Sequence, residues 1–149
     1  MKILMVCLGN ICRSPLAEGI LTHKTKSLNI KIDSAGTAGY HIGQLPDSRS
    51  IKIAKKYNID LSNQRARQFN RLDFDRFDII YAMDTNNYSH LINLASNNDE
   101  RNRIKLILNE INPDLWESVP DPYYGGENGF QIVYDMLDKA CDKIVSSIE

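Results

Sequence analysis

The stretch KILMVCLGNICRSPLAEGIL, residues 2–21, decides the reading of this chain. It opens on KILMV (2–6), a short apolar run that reads as a buried strand, and a loop containing Gly9 bounds it. It closes on SPLAEGIL, where Ser14 suits an N-cap, Pro15 the first helical position, and Leu16, Ile20 and Leu21 one apolar face. Between strand and helix stands a cysteine, then five residues, then Arg13. A connection needs no such composition. Wrapped around an anion, the loop would turn backbone N–H groups on it, and the helix would add its unsatisfied N–H groups and the positive end of its dipole. Gly9 would allow close approach or a positive φ. Arg13 would hold two oxygens of a tetrahedral dianion in its planar fork. The same surroundings favour a thiolate at Cys7, with Ser14 donating to the sulfur and Asn10 bracing the loop through its amide.

The rest of the chain supplies the frame. A second strand is expected near 30–33, ended by Ala35-Gly36, and a helix opened by Asp47 places Ile51, Ala54 and Tyr57 on one side. A third strand is expected over 77–83, followed by a helix capped by Asp84, and a fourth strand over 104–108. The final helix, about 130–147, repeats Val133, Tyr134, Leu137, Ala140, Cys141 and Ile144 at helical spacing. Short apolar strands alternating with helices predict an α/β domain, its parallel sheet covered on both faces, over residues 1–149. In such sheets ligands bind beyond the carboxyl ends of the strands, where Cys7 sits.

Composition narrows the function classes. The 149 residues carry a net charge of −1, so nothing global favours nucleic acid or an anionic membrane. No apolar run approaches the ~18 residues of a membrane span, and the N-terminal run is too short for a signal peptide. A cytoplasmic location is expected. Three cysteines, an odd and sparse set, argue against a disulfide framework. His23, His41 and His90 are scattered and no Cys-x2-Cys pair exists, so neither metal nor cofactor is expected.

Thiolate attack on a phosphoryl group needs a proton donor for the leaving group, and the loop contains none. DPYYGG (121–126) offers Asp121, held extended by the proline that follows it. As an acid it could protonate a departing alkoxide or phenolate; as a carboxylate it could activate water.

VCLGNICRSP and DPYYGG together resemble the low-molecular-weight protein tyrosine phosphatases. The similarity runs on through AEGIL, IDSAGTAGYHIGQLPDSR, RARQF, FDIIYAMD and the terminal helix. The resemblance implies a four-stranded parallel sheet in three layers, with a phosphate-binding loop after strand 1, and a metal-free mechanism through a cysteinyl phosphate. Cys7 matches the nucleophile, Arg13 the phosphate-binding arginine and Asp121 the general acid. Leu8, Gly9, Asn10, Ile11, Cys12 and Ser14 match the loop that binds substrate, and Ser34 matches a serine in the same network. Cys12 matches the partner for a reversible disulfide with Cys7. Tyr40 and Tyr123 match the aromatic walls of the substrate cleft, with Tyr124 beside them. The expected partner is a phosphotyrosine-containing protein, met by a monomer with at most weak self-association. One departure is Gln64, where many members carry histidine.

Rival readings stay open to different degrees. Arsenate reductases relay a disulfide through cysteines near the third strand, and FDIIYAMDTNNYSHLINLASN has none. Protein-arginine phosphatases place threonine where Ile11 stands and lack the paired tyrosines. A phosphocysteine carrier would have no use for a hydrolytic acid. A phosphotyrosine-binding module would not need both Cys7 and Asp121.

Overall fold

The computed structural model describes the backbone of residues 1–149 and every side chain apart from those of Tyr124 and Glu127. Four parallel strands, β1 (Lys2–Cys7), β2 (Lys31–Gly36), β3 (Ile79–Ala82) and β4 (Ile104–Leu106), form one sheet in the order β2-β1-β3-β4. The helices are α1 (Arg13–Lys24), α2 (Ser48–Lys56), α3 (Asp73–Arg76), α4 (Thr85–Leu94), α5 (Asn98–Arg103) and α6 (Glu127–Ile148).

Alternation along β1 divides the interior in two. Ile3, Met5 and Cys7 face a core built with Leu16, Ile20 and Leu21 of α1, Ala54 of α2, and Val133, Leu137, Ala140 and Ile144 of α6. Leu4 and Val6 face the other core, with Phe74 of α3, Leu91 of α4, Ile80 and Leu106. Both faces of the sheet are covered, which is why β1 is apolar at every position from Ile3 to Val6 rather than alternating. Truncating a residue such as Leu4 or Leu137, both fully buried, is expected to cost about 2–5 kcal/mol.

Several boundaries differ from the sequence expectation, each for a physical reason. Ser14 is not the N-cap. The helix begins at Arg13, Cys12 occupies the cap position, and no side chain caps it. Pro15 is therefore the third helical residue, where its missing N–H removes no intrahelical bond. β2 runs on to Gly36 because Ser34, Ala35 and Gly36 pair with Met5, Val6 and Cys7. A Cβ on Gly36 would lie 2.7 Å from the Leu8 carbonyl oxygen, so only glycine lets the loop pass over the strand end. The third strand keeps only Ile79–Ala82, and the fourth stops at Leu106, with residues 107–110 turning into a 3-10 helix. The last helix starts earlier, at Glu127. The short helices α3 and α5 were not anticipated, since four and six residues are too few to show periodicity.

Candidate active site

β1 lies between β2 and β3, so the chain leaves β1 toward one side while the strand on its other side is reached only later. That is the switch point at which parallel sheets open a crevice. Three segments converge there: the loop after Cys7, the residues after β3, and residues 118–124. The β3 segment is tied to β1 by Met83 N–H donating to the Val6 carbonyl (2.9 Å), and Val119 N–H in turn donates to the Met83 carbonyl (2.9 Å).

Within the loop four carbonyls are committed. The Cys7, Leu8 and Ile11 oxygens accept from Thr37, Ala38 and Asp47 N–H at 2.9, 2.9 and 2.8 Å. The Cys12 oxygen accepts from Leu16 N–H (3.4 Å) and the Ser50 hydroxyl (3.3 Å). The N–H groups of residues 8–12, by contrast, have no protein acceptor among the described residues. Buried backbone donors are rarely left so. Leu8, Gly9, Ile11 and Cys12 line a cavity of about 260 Å³ with Cys7, Arg13, Tyr40, His41, Asp121 and Tyr123. The positive φ falls on Asn10 (58°), while Gly9 serves close approach: a Cβ there would meet the His41 ring at 3.0 Å.

Asn10 organises the loop from beneath. Arg67 N–H donates to Asn10 Oδ1 at 3.0 Å, and because a backbone N–H can only donate, the amide orientation is fixed. Its nitrogen then donates to Ser14 Oγ (2.8 Å) and Ser34 Oγ (2.9 Å). A buried Ser14 that already accepts from Asn10 directs its own proton at Cys7 Sγ, 3.0 Å away. This explains why Ser14 does not cap α1: its hydroxyl is committed to the sulfur, and the helix N-terminus has no side-chain cap. Arg67 is itself clamped by Asp33 (3.0 Å) and by fully buried Asp73 (3.0 Å). Gln64 Nε2 donates to the Pro15 carbonyl (3.1 Å) and so steadies the first turn of α1, while its buried Oε1 has no partner among the described residues.

Arg13 is buried to 3% exposure and held by three groups. Nη1 donates to Asp84 Oδ2 at 2.6 Å and to the Val119 carbonyl at 3.0 Å, and Nη2 lies 3.7 Å from Asp121 Oδ2. Burial alone would favour loss of its proton, but Cys7, Asp84 and Asp121 outweigh that and raise its pKa. Asp121 also accepts from Tyr123 N–H (3.0 Å), which opens the 3-10 turn over residues 122–124. Its side chain is one-third exposed at the cavity mouth.

Tyr40 (74% exposed) and Tyr123 (42%) flank that mouth. Arg49 braces the second wall: its guanidinium bonds Asp47 (3.0 Å) and the Tyr123 carbonyl (3.2 Å) and sits 5.5 Å from the Tyr123 ring centre. The side chain of Tyr124 lies outside the described residues. Cys12 is buried beside the cavity, and burial first, then Asp47, Cys7 and Asp121, pushes its thiol up to about 12. Among the described residues no cluster of His, Cys, Asp or Glu could hold a metal ion. Nor is any helix long and apolar enough to cross a membrane.

Sequence reasoning assigned no site role to Asp84, Arg67, His41 or Arg49. Asp84 was expected as a helix cap only. RARQF contributes Arg67 through a backbone N–H, a contribution no side-chain pattern announces.

The profile of the low molecular weight phosphotyrosine protein phosphatase family matches residues 2–149. The human low molecular weight phosphotyrosine protein phosphatase is 40% identical, the match covering 94% of this chain and 90% of that protein. A protein tyrosine phosphatase from Entamoeba histolytica, solved with Hepes in its active site, superposes with a TM-score of 0.92 at 38% identity over 99% of this chain and 96% of that one. A Drosophila arginine phosphatase gives a TM-score of 0.92 at 31% identity over 100% and 98% of the two chains. The chain belongs to the low molecular weight phosphotyrosine protein phosphatase family.

Proposed function

We propose that this protein hydrolyses phosphotyrosine in proteins, and aryl phosphate monoesters generally, by two displacements at phosphorus without metal or cofactor. Family membership supports the reaction class. The observation that supports the residue assignment is the loop itself, with four carbonyls tied outward, five N–H groups without a protein acceptor among the described residues, and the Ser14 hydroxyl 3.0 Å from Cys7 Sγ.

In the first step the Cys7 thiolate attacks phosphorus while the loop amides and Arg13 bind the non-bridging oxygens. The phosphorus–oxygen bond to the phenol breaks, and Asp121 gives the departing oxygen its proton. In the second step Asp121, now a carboxylate, takes a proton from water, whose oxygen attacks phosphorus. The cysteinyl phosphate opens and the Ser14 hydroxyl receives the returning thiolate charge. Asp84 keeps Arg13 charged and fixed through both steps. Leu8, Gly9, Asn10, Ile11, Cys12 and Ser14 shape the oxyanion site, and Tyr40 and Tyr123 form the walls for the substrate ring.

Substrate choice follows from depth and lining. Cys7 is 2% exposed and shares its cavity with Tyr40 and Tyr123, so a ring-length spacer suits it better than the short phosphoserine. The similarity to an arginine phosphatase gives the second reading its place. Against it stand Ile11, which offers an apolar rim and no hydroxyl to a guanidinium, and the tyrosine walls. Further parts of the proposal are a cytoplasmic monomer and a reversible Cys7–Cys12 disulfide. In the latter, peroxide oxidises the Cys7 thiolate to a sulfenic acid, and the Cys12 thiolate then displaces hydroxide from that sulfur.

The test compares phosphotyrosine, phosphoserine and phosphoarginine peptides with chelator present. Turnover of phosphotyrosine alone, abolished by Cys7→Ser, is expected. A metal requirement, or a preference for phosphoarginine, refutes the reading.

A further inference from the structure

The hydrogen-bond chain that starts at the Cys7 sulfur does not end at Ser34. Ser34 Oγ lies 2.6 Å from Oε1 of Glu18, half-buried on α1, at the end of the network remote from the cavity. From Arg67 through Asn10 to Glu18 the direction of each link is set by the donors. Asn10 spends one amide hydrogen on each serine, since its oxygen is held by Arg67 N–H. Ser34, buried to 4% exposure, therefore accepts from Asn10 and must send its own proton elsewhere. Glu18 is the acceptor it has.

We infer that Glu18 is a positioning residue for phosphoryl transfer. Its carboxylate takes the Ser34 proton, which holds Asn10 and, through it, the Ser14 hydroxyl in the orientation that donates to the Cys7 sulfur. This rests on the proposed function, for it names the group that anchors that site's thiolate donor.

The alternative for Ser34 is poor. Without Glu18 its hydroxyl has no other acceptor among the described residues, because the atom facing it on Asn10 is a nitrogen. Either a buried hydroxyl is left unsatisfied, or Ser34 turns away and strands an amide hydrogen of Asn10. Asn10 is also the loop residue at positive φ, a conformation that persists only when its surroundings hold it.

The carboxyl is also poised to titrate. Its facing charged groups are Asp33 on β2 and Arg67 on the segment after α2. Burial above all pushes Glu18 up to about 7; the Ser34 bond and Arg67 pull it down, and Asp33 adds to the rise. A protonated Glu18 is a weaker acceptor and brings a proton that needs an acceptor of its own. The orientation of the relay is thus strongest above neutral pH.

The experiment uses the full-length protein and three variants, Glu18→Ala, Glu18→Gln and Ser34→Ala. For each, the rate of Cys7 alkylation by iodoacetamide is followed by mass spectrometry against pH, beside kcat and KM for an aryl phosphate. Glu18→Ala and Ser34→Ala should move the alkylation profile to higher pH and lower kcat about ten-fold, as expected for one stranded buried hydrogen bond, with KM little changed. Glu18→Gln, which keeps an oxygen acceptor, should recover most of that loss and remove the step near pH 7 from the profile. If Glu18→Ala fails to fold, Ser34→Ala carries the same expectation. Unshifted alkylation profiles in both alanine variants, or Glu18→Gln as impaired as Glu18→Ala, overturn the inference. Absent aryl phosphate turnover by the wild type refutes the proposed function instead, and the alkylation profile still reads the link from Glu18 to Cys7.

Discussion

Arg13, at the start of α1, and Asp84, just after β3, meet at 2.6 Å beyond the carboxyl ends of the paired strands β1 and β3, and the same carboxylate caps α4. One oxygen accepts from Arg13 and the other from Asn87 N–H at 2.7 Å. The start of α4 and Arg13 are thereby fixed relative to one another. A side chain that any reading of the sequence places at a helix cap is also half of a buried ion pair.

The two duties can be separated. Asp84→Asn removes the negative charge but retains a capping residue, whereas Asp84→Ala removes both. Because the variant leaves buried Arg13 with only the more distant Asp121, at 3.7 Å, as its ionic partner, about 3 kcal/mol of stability should be lost in Asp84→Asn. Asp84→Ala should lose about 1 kcal/mol more, the usual worth of a cap. Chemical denaturation of the pair checks this. The inhibition constant for inorganic phosphate should rise in both by similar factors, and a rise confined to the alanine variant would contradict the ion-pair role.

Legibility in the sequence followed the range of the interactions. The strand, loop and helix of residues 2–24 were readable because apolar runs and a Cys-x5-Arg spacing are local. The face of α6 was readable for the same reason, and Val133, Leu137, Ala140, Cys141 and Ile144 are indeed fully buried. Ser14 misled because cap preference is a local rule, and the tertiary partners Cys7 and Asn10 claimed the hydroxyl instead. Arg67 acts on Asn10 from 57 residues away through its backbone, so nothing in its side-chain identity points to the loop. Glu18 sits in AEGIL, where a helical glutamate reads as solvated surface, yet Ser34 from β2 reaches it.

Asp121 lies where it can meet a leaving group, and its contribution should depend on that group. Asp121→Asn is expected to lower kcat about 10²–10⁴-fold with an unactivated phenol and far less with a strongly acidic one. Measuring kcat across a series of aryl phosphates gives the slope. A loss equal for every leaving group would remove the acid role.

Cys12, held up to about 12, is a thiol at neutral pH. Closure of a disulfide onto oxidised Cys7 requires the Cys12 thiolate, so its rate after a peroxide pulse should be slow near neutrality and rise with pH. Mass spectrometry of quenched samples reads the closure. Only sulfonic acid on Cys7 at every pH would discard the protective disulfide.

Glu18 also ties stability to pH, and the sign is unusual for a carboxyl. Its folded pKa, about 7, lies above the ordinary carboxyl value, so between the two the folded chain keeps a proton that the unfolded chain has lost. Stability contributed by this group is full below the unfolded pKa and falls as pH rises through about 7. The loss is on the order of 2–3 kcal/mol by about pH 8. Glu18→Gln should therefore gain stability relative to wild type as pH rises from about 5 to about 8. A difference that does not change across that window would show that the carboxyl is ionised throughout. The carboxylate that orients the relay is thus held at some expense to the fold, as is common where local structure serves chemistry.

The central claim is that phosphorus becomes bonded to the Cys7 sulfur during turnover. The most direct measurement is a rapid denaturing quench during steady hydrolysis of an aryl phosphate, followed by peptide mass spectrometry. The account predicts a phosphoryl group on the Cys7 peptide, absent in Cys7→Ser and, with a strongly acidic phenol that leaves without an acid, accumulating in the Asp121→Asn variant, which cannot activate water for the second step. Continued turnover with no phosphoryl group on Cys7 at any quench time, or with the group on another residue, would contradict it.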